Sequence, residues 1–190
     1  FVLHKNVNLE QIKNSLTSEI SPILSKNEKT KLSSVLIIIF ESSPKILMIK
    51  KPITMNYHGG EIAFPGGKIS KEDDDLLDTA IRETKEETGI TIARKQIIGQ
   101  LKPVTTLNSG FTILPFICII DEINELTPNS EVEEFLKIPL VSFLQTLTND
   151  SDPEHNSIHE MYVLTFENNI IWGASARMLK QITDKITNHE

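Results

Sequence analysis

Three glutamates and an arginine crowd one short segment of this sequence, directly behind a pair of glycines. Glu83, Glu86 and Glu87 occupy three of five consecutive positions and follow Arg82, although the 190-residue chain already has a net charge of −7. Carboxylates at this spacing raise one another's pKa unless positive charge stands among them. Carboxylate oxygens are also the ligands that magnesium prefers, and a bound magnesium ion keeps open positions for phosphates. Two interpretations remain open, an acidic face in solvent or a metal site.

The segment that carries these residues is predicted to be a helix over residues 75–88. Acidic residues fill its first turn, and Gly89 is a natural C-terminal stop. At about 100° per residue, the three glutamates lie within one arc of about 100°, beside an apolar face that includes Ala80 and Ile81. We therefore expect an exposed helix edge lined with carboxylates.

Strand-like and helix-like segments alternate along the rest of the chain. Residues 33–40 are β-branched and continuously apolar, which predicts a central strand buried on both faces. Further strands are predicted at residues 45–51, 61–64, 97–104 and 111–120, and in a hairpin over 160–173 that turns at Asn168-Asn169. Further helices are predicted at residues 8–20, at 130–149, which Pro139 divides into a turn and a helix, and at 175–186 with Ser175 as N-cap. This order predicts an α/β fold in which helices pack against a mixed sheet.

Composition limits the classes of function. A net charge of −7 without a basic stripe argues against a nucleic-acid partner. The longest apolar runs have the length of strands, so no membrane span is expected. The single cysteine, Cys118, lies in an apolar run and has no second cysteine to pair with, which fits a reducing, cytoplasmic location. The oligomeric state is left open.

The glycine pair and the acidic helix together resemble the Nudix box, Gly-x5-Glu-x7-Arg-Glu-U-x-Glu-Glu-x-Gly-U, in which U is a bulky aliphatic residue. The matching residues are Arg82, Glu83, Glu86, Glu87, Gly89 and Ile90. The segment departs from the pattern in three ways: Gly67 lies fifteen residues before Arg82, Asp73 or Asp74 stands at the first glutamate, and Thr84 replaces an aliphatic residue.

The upstream sequence resembles the coenzyme A pyrophosphatase branch of this family. Gly60 and residues 64–67, Phe-Pro-Gly-Gly, match the signature of that branch, whereas Lys51 and Asn56 stand where it has arginines. The resemblance covers roughly residues 33–180. It implies a Nudix hydrolase domain over residues 31–190, built as an α/β/α sandwich with a mixed sheet between helices. The helical periodicity ahead of this domain predicts an N-terminal helical extension over residues 1–30.

The resemblance also implies a metal site with Mg²⁺ or Mn²⁺ as cofactor. Glu83 and Glu87 are expected as the principal metal ligands and Glu86 as a third ligand or the holder of a second ion. Arg82 is expected to orient a glutamate. The general base is expected to be a box glutamate or a carboxylate from a later loop. Glu131 is the candidate from a later loop, and the alternative for it is a role as the cap of a following helix.

Substrate contacts are expected at the glycine turn and at nearby lysines. The candidate substrate-binding residues are Lys51, Gly66, Gly67 and Lys68, of which the lysines could equally be ordinary surface charge. Phe111 and Trp172 are candidates to stack on adenine, although an aromatic residue in a strand is more often part of a core.

The function that the resemblance implies is hydrolysis of a nucleoside diphosphate linked to another group. The leading hypothesis is a coenzyme A diphosphatase that releases 3′,5′-ADP and 4′-phosphopantetheine. Because both signature arginines are replaced, hydrolysis of ADP-ribose or of a nucleoside triphosphate stays open. A third hypothesis is a sensor that binds a nucleotide without cleaving it, for which the loss of a box glutamate would be the mark.

Overall fold

A computed structural model describes residues 7–25, 31–56, 58–107, 109–151 and 161–188. In chain order, the helices and strands of these residues are α1 (Leu9–Leu16), β1 (Lys31–Phe40), β2 (Lys45–Lys50), β3 (Ile62–Ala63), β4 (Gly66–Lys68), α2 (Leu76–Thr88), β5 (Ile97–Gln100), β6 (Val104–Thr105), β7 (Phe111–Ile120), β8 (Glu134–Pro139), α3 (Leu140–Leu144), β9 (Thr148–Asn149), β10 (Tyr162–Phe166), β11 (Asn169–Ile171) and α4 (Gly173–Thr187). None of the helices in the described ranges is long and apolar enough to cross a bilayer.

Two long apolar strands form the centre of the main sheet. β1 and β7 pair in parallel over ten residues, from Lys31 opposite Phe111 to Phe40 opposite Ile120. The sheet runs in the order β3-β2-β1-β7-β5, and β4, β6 and β8 pair with β1, β7 and β2 respectively. β1 is buried along nearly its whole length, which confirms the predicted central strand. A second, smaller sheet contains β9, β10 and β11.

Helices cover both faces of the main sheet. On one face, Leu77 and Ala80 of α2 pack against even-numbered residues of β1 and β7, such as Phe116. On the other face, Ile12 of α1 and Leu179 of α4 join one core with the odd-numbered residues of the same strands. The α/β/α sandwich with a mixed sheet is therefore confirmed, whereas the boundary between residues 30 and 31 stays a prediction.

The structure corrects three local predictions. Residues 134–139 form strand β8 instead of a helix, because Leu136 and Ile138 alternate with exposed residues and the segment pairs with β2. The hairpin turns at Glu167-Asn168, one residue earlier than expected, and Glu167 takes a positive φ of 52° there. Helix α4 begins two residues before Ser175, with Trp172 at the N-cap, so Ser175 does not cap it.

The ends of α2 follow from local chemistry. Asp75 is the N-cap, and its side chain accepts hydrogen bonds from the backbone N–H groups of Leu77 and Asp78, both at 2.9 Å. Gly89 ends the helix in the left-handed conformation, with φ of 78°, which glycine adopts without steric cost. Arg94 binds both carboxylate oxygens of Asp75, at 3.1 and 2.7 Å.

Removal of this cap by Asp75→Ala is expected to lower the free energy of unfolding at pH 7 by about 1–2 kcal/mol. Burial alone raises the pKa of Asp75, but the hydrogen bonds from Arg94 and the helix N–H groups outweigh it and lower the pKa below 3.8. The Asp75 contribution is therefore present above pH 3.8 and is lost as the pH falls further. Urea unfolding at neutral and acidic pH measures this, with the exposed Asp74→Ala as the matched control. An equal loss in both variants would contradict the capping role.

Candidate active site

The glycine turn meets α2 at the first half of β1. Gly66 and Gly67 of β4 pair with Val35 and Ser34, and this pairing brings their backbone against the side chains of the helix. A Cβ atom on Gly66 would lie 2.2 Å from the carbonyl oxygen of Ser34, and one on Gly67 would lie 2.4–2.6 Å from the carboxylate of Glu83. Both positions therefore require glycine for close approach, Gly66 toward the sheet and Gly67 toward the helix.

Glu87 is the most buried of the three glutamates, with 1% of its surface exposed. Its Oε2 accepts a hydrogen bond from the backbone N–H of Gly66 at 2.9 Å, and its Oε1 lies 3.8 Å from the Lys51 ammonium. Among the described residues, Oε1 has no hydrogen-bond partner. Burial raises the pKa of Glu87 to about 7, against the lowering effects of Lys51 and the Gly66 N–H, and the charges of Glu83 and Glu131 raise it further.

Arg82 is held in a network of carboxylates. Its Nε and Nη2 donate to the two oxygens of Asp73, each at 2.9 Å, and its Nη1 donates to Glu83 at 2.8 Å and to Glu86 at 3.3 Å. Its Nη2 also donates to the carbonyl oxygen of Lys68 at 3.2 Å. Arg82 thus contacts both Glu83 and Glu86, and its role in orienting a glutamate stays a prediction.

Asp73, in the loop before α2, holds the Arg82 side chain in place. Its side chain is 3% exposed, and it accepts two further hydrogen bonds, from the Ser70 backbone N–H at 2.8 Å and the Thr79 hydroxyl at 2.9 Å. The Arg82 guanidinium, with these two donors, holds the pKa of Asp73 well below its usual range. Of the two aspartates that the sequence left as alternatives, Asp73 and not the exposed Asp74 therefore contacts Arg82.

The three glutamates differ sharply in exposure. The Glu86 side chain is 53% exposed and that of Glu83 is 18% exposed, whereas Glu87 is enclosed. Burial raises the pKa of Glu83 despite the Arg82 contact, with further contributions from the charges of Glu86 and Glu131. The expectation of an exposed carboxylate edge is therefore wrong for Glu87, because the edge faces the glycine turn of β4.

Glu131 lies on an exposed turn before β8. Its backbone N–H donates to the Asn129 side chain at 2.9 Å, and its charge raises the pKa of both Glu83 and Glu87. The chain thus brings this carboxylate from a distant segment into the electrostatic environment of the helix. The alternative role as a helix cap does not hold, since a strand follows.

The remaining candidates divide into two groups. Lys51 joins the carboxylates through Glu87. Lys68 and Phe111 lie together instead, with the Lys68 ammonium 5.2 Å from the centre of the phenyl ring. Lys31 is also next to this ring, at 5.5 Å, and sequence reasoning missed it because nothing in one strand-initial lysine indicates a contact 80 residues away.

The donor set fits a hard divalent cation. The fit rests on the unbonded, buried Oε1 of Glu87 and on the close approach that Gly67 allows to the Glu83 carboxylate. In the described part of the chain, however, no three histidine, cysteine, aspartate or glutamate side chains are grouped tightly enough to hold an ion by themselves. Arg82 occupies oxygens of Glu83 and Glu86, so these side chains must turn toward an ion for all three glutamates to bind it.

Comparison with known proteins identifies the architecture. The NUDIX domain family model matches residues 30–164. An uncharacterized Nudix hydrolase, NudL of Pectobacterium atrosepticum, is 29% identical over 174 residues, which span 90% of each chain. A NudL protein of Yersinia enterocolitica is 30% identical over 78% of this chain and 77% of its own length.

Solved structures show the same fold. The crystal structure of a MutT/nudix family protein from Enterococcus faecalis superimposes with a TM-score of 0.61 at 16% identity, over 87% of this chain and 65% of that one. The NUDIX domain of Shewanella oneidensis NrtR, solved in complex with ADP ribose, gives a TM-score of 0.52 at 19% identity, over 63% of this chain and 79% of that one.

Proposed function

This chain belongs to the Nudix family of hydrolases, and from that premise we propose that it cleaves the pyrophosphate of coenzyme A into 3′,5′-ADP and 4′-phosphopantetheine with a divalent cation. The observation that carries the metal-dependent chemistry is the buried Glu87 carboxylate, whose Oε1 lies unbonded beside Lys51 at the glycine turn. The choice of coenzyme A is supported by Gly60 and by the Phe-Pro-Gly-Gly sequence at residues 64–67.

The cation site is proposed at the carboxylate edge of α2. Glu83 and Glu87 would hold Mg²⁺ or Mn²⁺, with Glu86 as a further ligand and a carbonyl of Gly66 or Gly67 as an additional oxygen donor. When bound, the cation neutralises pyrophosphate oxygens and stabilises the charge that develops on them. The fork of Arg82, fixed by Asp73, keeps Glu83 turned toward Gly67.

The other side chains handle the proton and the substrate charge. Glu131 accepts the proton of the attacking water, whose oxygen forms a new P–O bond as the bridging P–O bond breaks. Lys51 faces a phosphate oxygen and also counters the charge of Glu87. Gly66, Gly67 and Lys68 line the approach of the phosphates, and the missing side chain at Gly67 keeps the space beside the Glu83 carboxylate open.

A second candidate function keeps the same chemistry with another substrate, ADP-ribose or a nucleoside triphosphate. The observation that favours it is the replacement of both signature arginines by Lys51 and Asn56, because lysine and asparagine cannot form the bidentate contacts of arginine. A nucleotide sensor without catalysis is disfavoured, since all three box glutamates are present.

Product analysis by chromatography tests the proposal. Coenzyme A and ADP-ribose are incubated side by side with the chain and Mg²⁺ or Mn²⁺, and a Glu87→Gln variant and an EDTA-treated sample serve as blanks. Faster release of 3′,5′-ADP from coenzyme A is the expected result. Preference for ADP-ribose would support the second candidate, and no cleavage of either compound would support the sensor.

Replacement of each glycine of the turn by alanine is expected to change a different property, stability at Gly66 and metal affinity at Gly67. Gly66→Ala places Cβ against the backbone of Ser34 and Val35, and we expect the free energy of unfolding to fall by about 1–3 kcal/mol. Gly67→Ala places Cβ nearest to the movable carboxylate of Glu83, so we expect near-native stability but Mn²⁺ affinity about tenfold weaker. Urea unfolding in EDTA and Mn²⁺ titration measure the two effects. Unchanged Mn²⁺ affinity in Gly67→Ala would contradict the role of Glu83 as a ligand.

A further inference from the structure

Two lysines from different strands converge on one phenylalanine at the beginning of the central strand pair. The ammonium groups of Lys31 and Lys68 lie 5.5 and 5.2 Å from the centre of the Phe111 ring. The pairing of β1 with β7 and with β4 sets this arrangement, because it places Lys31 opposite Phe111 and Lys68 opposite Ser33. Both lysines are exposed and Phe111 is half-buried. We refer to these three residues as the Phe111 cluster.

The positive charge of the Phe111 cluster is not balanced locally. Neither ammonium forms an ion pair with a carboxylate among the described residues, although the whole chain has a net charge of −7. The ring attracts each cation but carries no net charge, so it leaves the two ammonium groups available to an anion. Lys31 donates a long hydrogen bond to the neutral carbonyl oxygen of Ser109, at 3.4 Å, which adds no negative charge to the cluster.

A third cation without a carboxylate partner in the described residues lies at the same end of the sheet. Nη2 of Arg177 donates to the carbonyl oxygen of Thr105 at 2.5 Å, and Thr105 pairs with Thr112, the neighbour of Phe111. Nε of Arg177 is buried, and the described residues offer it no hydrogen-bond partner. The local surplus of positive charge thus includes a guanidinium group whose Nε atom is withdrawn from water.

The Phe111 cluster begins beside the candidate active site. Lys68 directly follows Gly67, and its carbonyl oxygen accepts from Arg82, which also binds Glu83. Two residues of a strand span about 7 Å, so Lys68 lies about that far along the chain from the Gly66 N–H that binds Glu87. A ligand with its pyrophosphate at the glutamates can therefore reach the cluster with a second anionic group.

We propose that the Phe111 cluster is a second anion subsite, which binds a phosphate monoester of the substrate outside its pyrophosphate. The pyrophosphate already has Lys51 and the proposed cation as its counter-charges. A phosphate monoester carries a charge of about −1.5 to −2 at pH 7, which two ammonium groups match. The inference rests on the proposed function for its ligand class, a nucleotide with a further phosphate on its ribose, such as the 3′-phosphate of coenzyme A.

Binding of two nucleotides without a pyrophosphate tests the subsite apart from catalysis. Calorimetry with the full chain and Mg²⁺ compares 3′,5′-ADP with 5′-AMP, which lacks only the 3′-phosphate. We expect 3′,5′-ADP to bind about tenfold more tightly. Lys31→Gln and Lys68→Gln should each reduce this ratio several-fold, and the double variant should bring it close to one.

Lys137→Gln is the matched control, because the Lys137 ammonium lies 6.0 Å from the Phe40 ring at the opposite end of β1 and its loss removes the same charge. The ratio should stay at the wild-type value in this variant. Thermal unfolding of each variant verifies the fold. Equal affinity of the wild-type chain for both nucleotides, or an unchanged ratio in the double variant, would overturn the subsite. Failure to cleave coenzyme A with the lysine-dependent ratio preserved would overturn only the proposed substrate.

Discussion

Replacement of Glu87 by glutamine is expected to lower turnover about a hundredfold or more, with the fold retained. Loss of residues that merely support a metal ligand commonly costs 10–100-fold, and Glu87 is proposed as a ligand itself. Glutamine has nearly the same shape, and its amide oxygen can accept the Gly66 N–H that Glu87 Oε2 accepts at 2.9 Å. The substitution therefore removes the charge and leaves the packing.

The free energy of unfolding measured in EDTA should be no lower in Glu87→Gln than in the wild-type chain. This result would separate a role of Glu87 in metal binding from a role in folding. The carboxylate is 1% exposed and its pKa is raised to about 7, so its ionised form is costly to bury without a metal ion. We expect Mn²⁺ to raise the midpoint of thermal unfolding of the wild-type chain and to have little effect on the variant.

The matched control for this experiment is Glu72→Gln, which removes the same charge from an exposed residue ahead of α2. It should bind Mn²⁺ and turn over substrate as the wild-type chain does. Near-normal turnover of Glu87→Gln, or an undiminished response of its unfolding midpoint to Mn²⁺, would refute the assignment of Glu87 as a ligand.

Replacement of Arg82 by alanine should damage both stability and activity. It leaves Asp73, which is 3% exposed, without the fork that binds both its oxygens at 2.9 Å. Breaking a buried ion pair from one side costs 3–5 kcal/mol, and because the Arg82 side chain is 25% exposed we expect a smaller loss, about 2–3 kcal/mol. Turnover should fall about 10–100-fold as Glu83 and Glu86 lose their common donor.

A double variant separates these two consequences. Asp73→Asn combined with Arg82→Ala also removes the buried negative charge that Arg82→Ala leaves without a partner. The double variant should therefore recover part of the free energy of unfolding but none of the turnover. Arg82→Lys retains a charge without the planar fork and should remain well below the wild-type chain in activity. Urea unfolding and steady-state rates give both quantities. An Arg82→Ala variant that is as stable as the wild-type chain would show that the Asp73 pair adds nothing to the fold.

The strongest sequence predictions concern features that depend on neighbours in the chain. The end of α2 follows from the glycine at position 89, which lies where the sequence predicts the stop, and the predicted start at residue 75 is only one residue early because Asp75 is the N-cap. The buried central strand β1 follows from an uninterrupted apolar run. The glutamates share one helix edge because helical periodicity alone sets their relative angles.

Predictions failed or stayed ambiguous where distant segments decide the outcome. Residues 134–139 form a strand because β2 supplies hydrogen-bond partners from almost 90 residues earlier, which overrides the helical pattern. Arg82 binds Asp73 and not Asp74 because the conformation of the loop before α2 directs the Asp73 side chain toward Arg82. The sequence does not show this conformation.

The sequence by itself determined the family, the fold class and the residue types of the candidate site, because these reside in short contiguous patterns. Only the tertiary structure decided how buried each carboxylate is, since β4 lies against one end of the helix edge and encloses Glu87 but not Glu86. Likewise, Lys31, Lys68 and Phe111 meet only through strand pairing. Burial and strand partners are set by contacts between residues far apart in sequence, and those contacts raise the pKa of Glu83 and of Glu87.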